Sequence, residues 1–176
     1  MVAQDWTIRP AGPDDVAALS LVGGATFLES FAGMIQGKAI VEHCARQHSV
    51  QSYQAYFDKG ARIWIAETQT GAPIGYAMLT APDLPGAGAG DIELKRIYLL
   101  SRFHGGGLGA ALMQTAIAGS AGFERLVLGA AHDNARAKAF YRKHGFTQIN
   151  ERQFDVGGTL YDDVVLARPL NDDEIK

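Results

Sequence analysis

Apolar residues recur along this chain with two alternating periods. Residues 6–9 form a short strand-like run ended by Pro10. Gly12-Pro13-Asp14-Asp15 then carries helix-start chemistry, with proline and acids in the first turn. Val16, Leu19, Phe27, Leu28 and Phe31 follow at helical spacing, and Gly23-Gly24 predicts a kink or break among them. Further helical stretches are expected over 38–47 and 50–58. Residues 62–66 and 74–80 are rich in strand formers and flank a Thr70-Gly71 turn signal, which predicts an antiparallel hairpin. The glycine- and proline-rich stretch 82–90 reads as a loop.

Residues 91–99 alternate. Strict alternation puts Ile92, Leu94, Arg96 and Tyr98 on one face and Glu93, Lys95, Ile97 and Leu99 on the other. Residues 108–119 carry no charge and predict a helix buried on the sheet. A short buried strand is expected over 126–131, then a helix over 134–144, capped by Asn134 and stopped by Gly145. Residues 146–156 and 160–167 flank Gly157-Gly158, a second hairpin signal. The order β, two or three helices, βββ, α, β, α, ββ predicts an α/β (α+β) fold in one domain over 1–176. Its sheet is expected to be mixed, mostly antiparallel and six- to seven-stranded, with helices on both faces and one parallel β-α-β crossover at its centre.

Composition narrows the partners. A net charge of −3 and no basic cluster interleaved with aromatics argue against nucleic acid. The single cysteine, Cys44, allows no internal disulfide. No apolar run approaches the roughly 18 residues of a membrane span, and no cationic leader precedes an apolar run. A soluble cytoplasmic protein that does not engage the membrane is expected. His43 and His48 are five apart, a poor spacing for sharing a metal on a helix, so no metal is predicted. Cys44 and His43 are adjacent on a helical stretch and face different directions, which argues against a nucleophilic pair.

The chemistry concentrates in residues 91–110, DIELKRIYLLSRFHGGGLGA. A strand, a turn, Gly105-Gly106-Gly107 and a helix start follow one another. Backbone N–H groups at such a helix N-terminus can converge on a phosphate or pyrophosphate. A nucleotide P-loop needs Lys-Ser or Lys-Thr after the glycines, and Leu108-Gly109-Ala110-Ala111 stands there instead. A dinucleotide fingerprint is loosely met by Gly105, Gly107 and Ala110. Its strand should be apolar on both faces, however, and this one carries Glu93, Lys95 and Arg96. A plain tight turn between strand and helix is the bland alternative. The second chemical stretch, Asn134-Ala-Arg-Ala-Lys-Ala-Phe-Tyr141-Arg-Lys-His-Gly-Phe146, opens just after a strand, and its Asn134 and Tyr141 share one helix face.

Together the two stretches, ELKRIYLLSRFHGGGLGAAL and NARAKAFYRKHGF, resemble the GNAT superfamily of N-acetyltransferases, in order, separation and element pattern. Within it the chain looks most like small bacterial polyamine-type acetyltransferases. The superfamily's Gln/Arg-x-x-Gly-x-Gly/Ala loop falls on His104 to Gly109, with His104 in place of Gln or Arg and Gly106 in place of a residue that is often basic. The resemblance implies acetyl-CoA as cosubstrate, bound by Ile97, Tyr98, Leu99, His104, Gly105, Gly106, Gly107, Leu108, Gly109, Ala110, Asn134 and Tyr141. It also implies that strands 91–99 and 126–131 splay apart around the pantetheine arm, with a backbone N–H near Leu99 polarising the thioester carbonyl. Glu93, at the position of a frequent carboxylate base, is the expected base, and Tyr141 the expected acid. Phe27, Glu29, Phe31 and Trp64 are expected to line the acceptor pocket. The implied acceptor is a primary amine of a small molecule such as a polyamine, amino acid or antibiotic-like amine. Peptide N-termini or lysines are the alternative, and a non-catalytic acetyl-CoA sensor is the reading of another class. A homodimer through the C-terminal strands is an expectation.

Overall fold

A computed structural model describes residues 5–170. One sheet runs through it, in the order β1-β2-β3-β4-β5-β7-β6. Its strands are β1 (Trp6–Pro10), β2 (Arg62–Thr68), β3 (Pro73–Thr80), β4 (Asp91–Leu99), β5 (Arg125–Ala131), β6 (Thr147–Val156) and β7 (Thr159–Pro169). The helices are α1 (Val16–Phe31), α2 (Gly37–Gln47), α3 (Val50–Asp58), α4 (Leu108–Gly119) and α5 (Ala135–Lys143). All strand pairs are antiparallel except β4 with β5, which α4 joins as the expected crossover.

Two cores sandwich the sheet. On one face Leu108, Leu112, Met113, Ala116 and Ile117 of α4 pack on Ile92, Leu94, Leu126 and Leu128. Each fully buried aliphatic side chain there contributes roughly 1.5–3 kcal/mol relative to exposure, which is why an uncharged helix serves here. On the other face Leu19 and Val22 of α1 and Tyr53 of α3 cover Ile63, Ile65, Tyr76 and Met78. Further along that face Phe27, Ile35, Ala39, Ile40 and Val156 bind α1 and α2 to the β6–β7 hairpin.

Two local expectations are corrected. α1 runs unbroken through Gly23-Gly24. Gly23 is small because of its neighbours: a Cβ there would collide with the Tyr53 hydroxyl and come within 2.6 Å of His48 Nδ1. A Cβ at Gly24 would meet nothing within 4 Å. Gly23→Ala is therefore expected to cost about 1–3 kcal/mol by overpacking, whereas Gly24→Ala should stabilise by about 0.5–1 kcal/mol through helix propensity. Urea unfolding of the two variants checks the opposite signs.

The second correction concerns β4. Met78 pairs Arg96 and Leu79 pairs Leu94, so Lys95 is an extra residue in the strand, a β-bulge. The bulge resets the alternation. Ile92 and Leu94 face α4, and so do Ile97 and Leu99, while Tyr98 turns to the α1/α3 face. Glu93, two residues before the bulge, lies on the face opposite Leu94 and therefore shares the α1/α3 side with Tyr98.

Candidate active site

The central pair of strands comes apart. β4 and β5 are paired only over Asp91↔Arg125, Ile92↔Leu126 and Glu93↔Val127. Beyond that β5 stays with β7 along its whole length, and β4 runs on to Leu99 paired with β3 and open on its other edge. At the base of this gap Arg125 grips Asp91 with Nε at 2.9 Å and Nη2 at 2.7 Å. Arg125 and its hydrogen bonds hold the Asp91 carboxyl below the usual carboxylate range.

The bulged strand presents its backbone to the gap. Leu100 N–H donates to Ile74 O on β3 at 2.9 Å. Alternation then turns the N–H and C=O of Leu99 to the opposite edge, into the gap. His104 Nε2 lies 3.3 Å from that carbonyl, so His104 covers the Leu99 oxygen and leaves the N–H open. The glycine loop follows. Gly105 and Gly107 have φ of +80° and +85°, and a Cβ at either would meet nothing within 4 Å. Gly107 is the N-cap of α4. Among the described residues the N–H groups of residues 105–110 have no backbone or side-chain acceptor. The loop thus presents consecutive unpaired donors at a helix N-terminus, the cradle that a pyrophosphate requires. The missing side-chain cation at Gly106 leaves that work to the backbone.

α5 closes the gap from the α4 side. Asn134 caps it by accepting Ala137 N–H at 3.0 Å, which uses the amide oxygen and leaves the NH₂ group. Phe140 packs against Gly109, and the Tyr141 ring rests on Phe140 and Phe146 at 5.6 and 5.9 Å. Burial, and then Tyr98, push the Tyr141 hydroxyl well above its ordinary pKa.

The face covered by α1 and α2, where the acceptor is expected, is aromatic. Phe27 lies 4.5 Å from Phe31 and stacks on His43 at 4.3 Å, and His43 meets the edge of Phe154 at 6.0 Å. Burial lowers His43 to about 4 and His48 to about 3, with the Arg96 charge adding to both shifts. His48 Nδ1 is 3.0 Å from the Tyr53 hydroxyl, which donates to Tyr76 Oη at 3.1 Å. Arg96 lies over Tyr53 and Tyr56 and donates to Gln47 O at 3.1 Å; its Nη1 is buried without an acceptor.

Ile97 through Ala110, Asn134 and Tyr141 are brought together around the gap. Three residues expected at the acceptor or as base sit differently. Trp64 faces the α4 side and packs on Gly119, because β2 alternation sends it opposite Ile63 and Ile65. Glu29 is taken up by the turn before the glycine loop, accepting Ser101 N–H at 2.8 Å and Ser101 Oγ–H at 2.6 Å. Those bonds hold its carboxyl low. Glu93 is 2% exposed. It accepts Asp83 N–H at 2.8 Å and pairs Lys95 at 3.6 Å, so it braces the 82–90 loop at the closed base of the gap. Sequence reasoning missed Arg152 and Asp163. Neither carries a local signal, since Arg152 stands between Glu151 and Gln153 and Asp163 follows Asp162. Two open surface depressions of about 330 and 300 Å³ lie elsewhere, and neither includes Tyr98, Tyr141 or the glycine loop. Among the described residues no group of three or more His, Cys, Asp or Glu is placed to hold a metal, and no helix is long and apolar enough to cross a membrane.

A split parallel pair with consecutive unpaired donors at a helix N-terminus beside it suits a phosphate-bearing ligand. Comparison with known proteins names the family. Residues 28–146 match the acetyltransferase (GNAT) family model. An uncharacterised N-acetyltransferase of Mycobacterium tuberculosis is 32% identical over 158 residues, covering 89% of this chain and 98% of the relative. The PaiA N-acetyltransferase of Thermoplasma acidophilum, solved with coenzyme A, superposes with a TM-score of 0.75 at 19% identity, over 93% of this chain and 98% of that one. A ribosomal-protein-alanine N-acetyltransferase of Brucella melitensis gives 0.71 at 25% identity, over 93% and 99%. The chain belongs to the GNAT family and is an acetyl-CoA-dependent acyltransferase.

Proposed function

We propose that the protein moves the acetyl group of acetyl-CoA directly onto a primary amine of a small molecule. The observation that carries this reading is the gap itself. It opens beside the glycine loop with its unpaired N–H groups, along the unpaired edge of β4 that carries the Leu99 N–H, and next to the α5 helix that carries Tyr141. The thioester supplies an activated acyl group, and the chain's own groups handle charge and protons. Residues 105–110 hold the phosphates, with Asn134 NH₂ available alongside. Ile97, Tyr98 and Leu99 offer the exposed strand edge to an amide-bearing arm. Leu99 N–H donates to the acyl oxygen as negative charge develops on it, in a site where such a donor costs no reorganisation. Tyr141 stays protonated and donates toward the leaving sulfur.

The test is thiol release from acetyl-CoA with a panel of small amines, peptides with free N-termini and lysine-containing peptides, with mass detection of the acetylated product. Acetylation of small amines with one thiol released per product is expected. Acetylation confined to peptides would move the function to the protein-modifying class. Acetyl-CoA binding with no product on any acceptor would replace an enzyme with a sensor.

A further inference from the structure

On the acceptor side of the gap, opposite Tyr98, stands an ion pair that the acetyl-transfer chemistry above leaves unused. Asp163 on β7 is 7% exposed and sits in register with Ala131 of β5 on one side and Arg152 of β6 on the other. Arg152 Nη2 is 3.4 Å from Asp163 Oδ2, a loose contact for a charged pair. The Arg152 guanidinium lies across Gly129, where a Cβ would come within 2.7 Å of Nη2 and 3.2 Å of Nε. Any larger residue at 129 would lift it off the β5 side of the gap. The Phe154 ring lies 5.3 Å from the guanidinium, and its Nε is buried without an acceptor. Val164 packs on the α4 side, so Asp163 faces the α1/α3 side of the sheet with Tyr98, at the open end of β5. The pair therefore borders the place where an amine must meet the acyl carbon.

The charges around this place have a sign. Arg96 and Arg152 are cations with a buried N–H group left over on each. His43 and His48 are neutral near pH 7. Glu29 is held by Ser101 and Glu93 by Asp83 and Lys95. Asp162 alternates to the α4 side with Val164, so Asp163 is the acid that this part of β7 turns to the α1/α3 side. A polyamine would meet two guanidinium groups and one carboxylate. A molecule bearing one ammonium and one carboxylate would complete the set. In an α-amino acid those two groups stand roughly 3 Å apart through one carbon, close to the spacing of Asp163 and Arg152.

Resting on the acetyltransferase reading above, we propose that the acceptor is an α-amino carboxylate, with its carboxylate on Arg152 and its ammonium on Asp163. Asp163 takes one proton from the ammonium. The freed nitrogen lone pair then attacks the acyl carbon, the N–C bond forms and the C–S bond breaks. The nitrogen gives up a second proton to solvent, the sulfur takes one from Tyr141, which regains its own from solvent, and Asp163 releases its proton to solvent. Ammonium and thioester thus become amide, thiol and one proton.

The experiment compares the proteinogenic L-amino acids with their α-amides, the corresponding decarboxylated amines and spermidine, using acetyl-CoA and mass detection of product. At least one free amino acid should exceed its own amide and its decarboxylated amine in kcat/KM by on the order of 100-fold, the cost of leaving a buried charged donor unpaired. In Arg152→Gln that acid-to-amide ratio should collapse toward unity. Calorimetric titration of the preferred amino acid into the protein with coenzyme A present should show binding that Arg152→Gln loses. Spermidine, amides or decarboxylated amines matching or exceeding every free acid would overturn the proposal while leaving the acetyltransferase reading intact. An unchanged ratio in Arg152→Gln would also overturn it. Absence of any acetylated product would remove both readings together.

Discussion

Tyr141→Phe is expected to lower turnover by about 100-fold or more while leaving the KM for acetyl-CoA within about threefold. The ring keeps its packing on Phe140 and Phe146, and among the described residues its hydroxyl bonds no other group, so the fold should not register the change. What the proposed role would lose is the donor to the leaving sulfur. In water a phenol near 10 is mismatched with a thiol near 8.5 by about 2 kcal/mol against proton transfer. Burial raises Tyr141 further. The same dry surroundings raise a thiolate by the same physics, because both lose hydration as anions. The hydroxyl therefore contributes most as the sulfur becomes charged, which is a turnover effect. A raised phenol also stays protonated across the working range, so kcat should show no descending limb near pH 10 from this group. Steady-state kinetics of the variant, with its thermal unfolding as a control, decide the matter; wild-type turnover would refute the role.

Acidification from pH 7 to 5 is expected to remove roughly 2–4 kcal/mol of folding stability, allowing for the partial exposure of His43. His48 is 4% exposed and lowered to about 3; His43, half-buried, is lowered to about 4, both from 6.5. His144 is lowered as well. A histidine whose folded pKa lies below its unfolded value is neutral in the fold while the unfolded chain takes up protons. Stability is then full above about 6.5 and falls as pH drops through that value toward the folded pKa. Urea midpoints at a series of pH values test this, since most carboxylates remain ionised in that window. A flat profile between pH 7 and 5 would contradict the buried, neutral assignment. His48→Gln should flatten the slope while retaining a polar partner for Tyr53.

What could be foreseen was local. The Gly105-Gly106-Gly107 cradle, the Asn134 cap and the Gly157-Gly158 turn depend on the conformations of a few adjacent residues, so their types announce them. The element order followed because each period of apolar residues reports one face of one element. The face assignment of β4 did not follow. A bulge at Lys95 comes from mismatched lengths between β3 and β4, and nothing in the nine residues of the strand marks it. The break expected in α1 failed for a related reason: Gly23 is there for Tyr53 and His48, which are distant in sequence.

The family resemblance drew its cofactor-side residues mostly from one continuous strand, loop and helix, which the structure keeps together beside the gap. The acceptor side was drawn less well. Glu29, Glu93 and Trp64 are chemically suitable and close in topology, yet Ser101, Asp83 and Gly119 have engaged them. Arg152 and Asp163 stand eleven residues apart on two strands of a hairpin, and register alone brings them together. Local chain chemistry was enough to establish the sheet, the crossover, the phosphate cradle and Tyr141 beside it. The facing of Tyr98 arises from one added residue in β4, the open gap from β5 following β7, and the Arg152–Asp163 pair from the β6–β7 register. Such features are set by pairing between distant segments, where the energy of a contact belongs to neither segment alone.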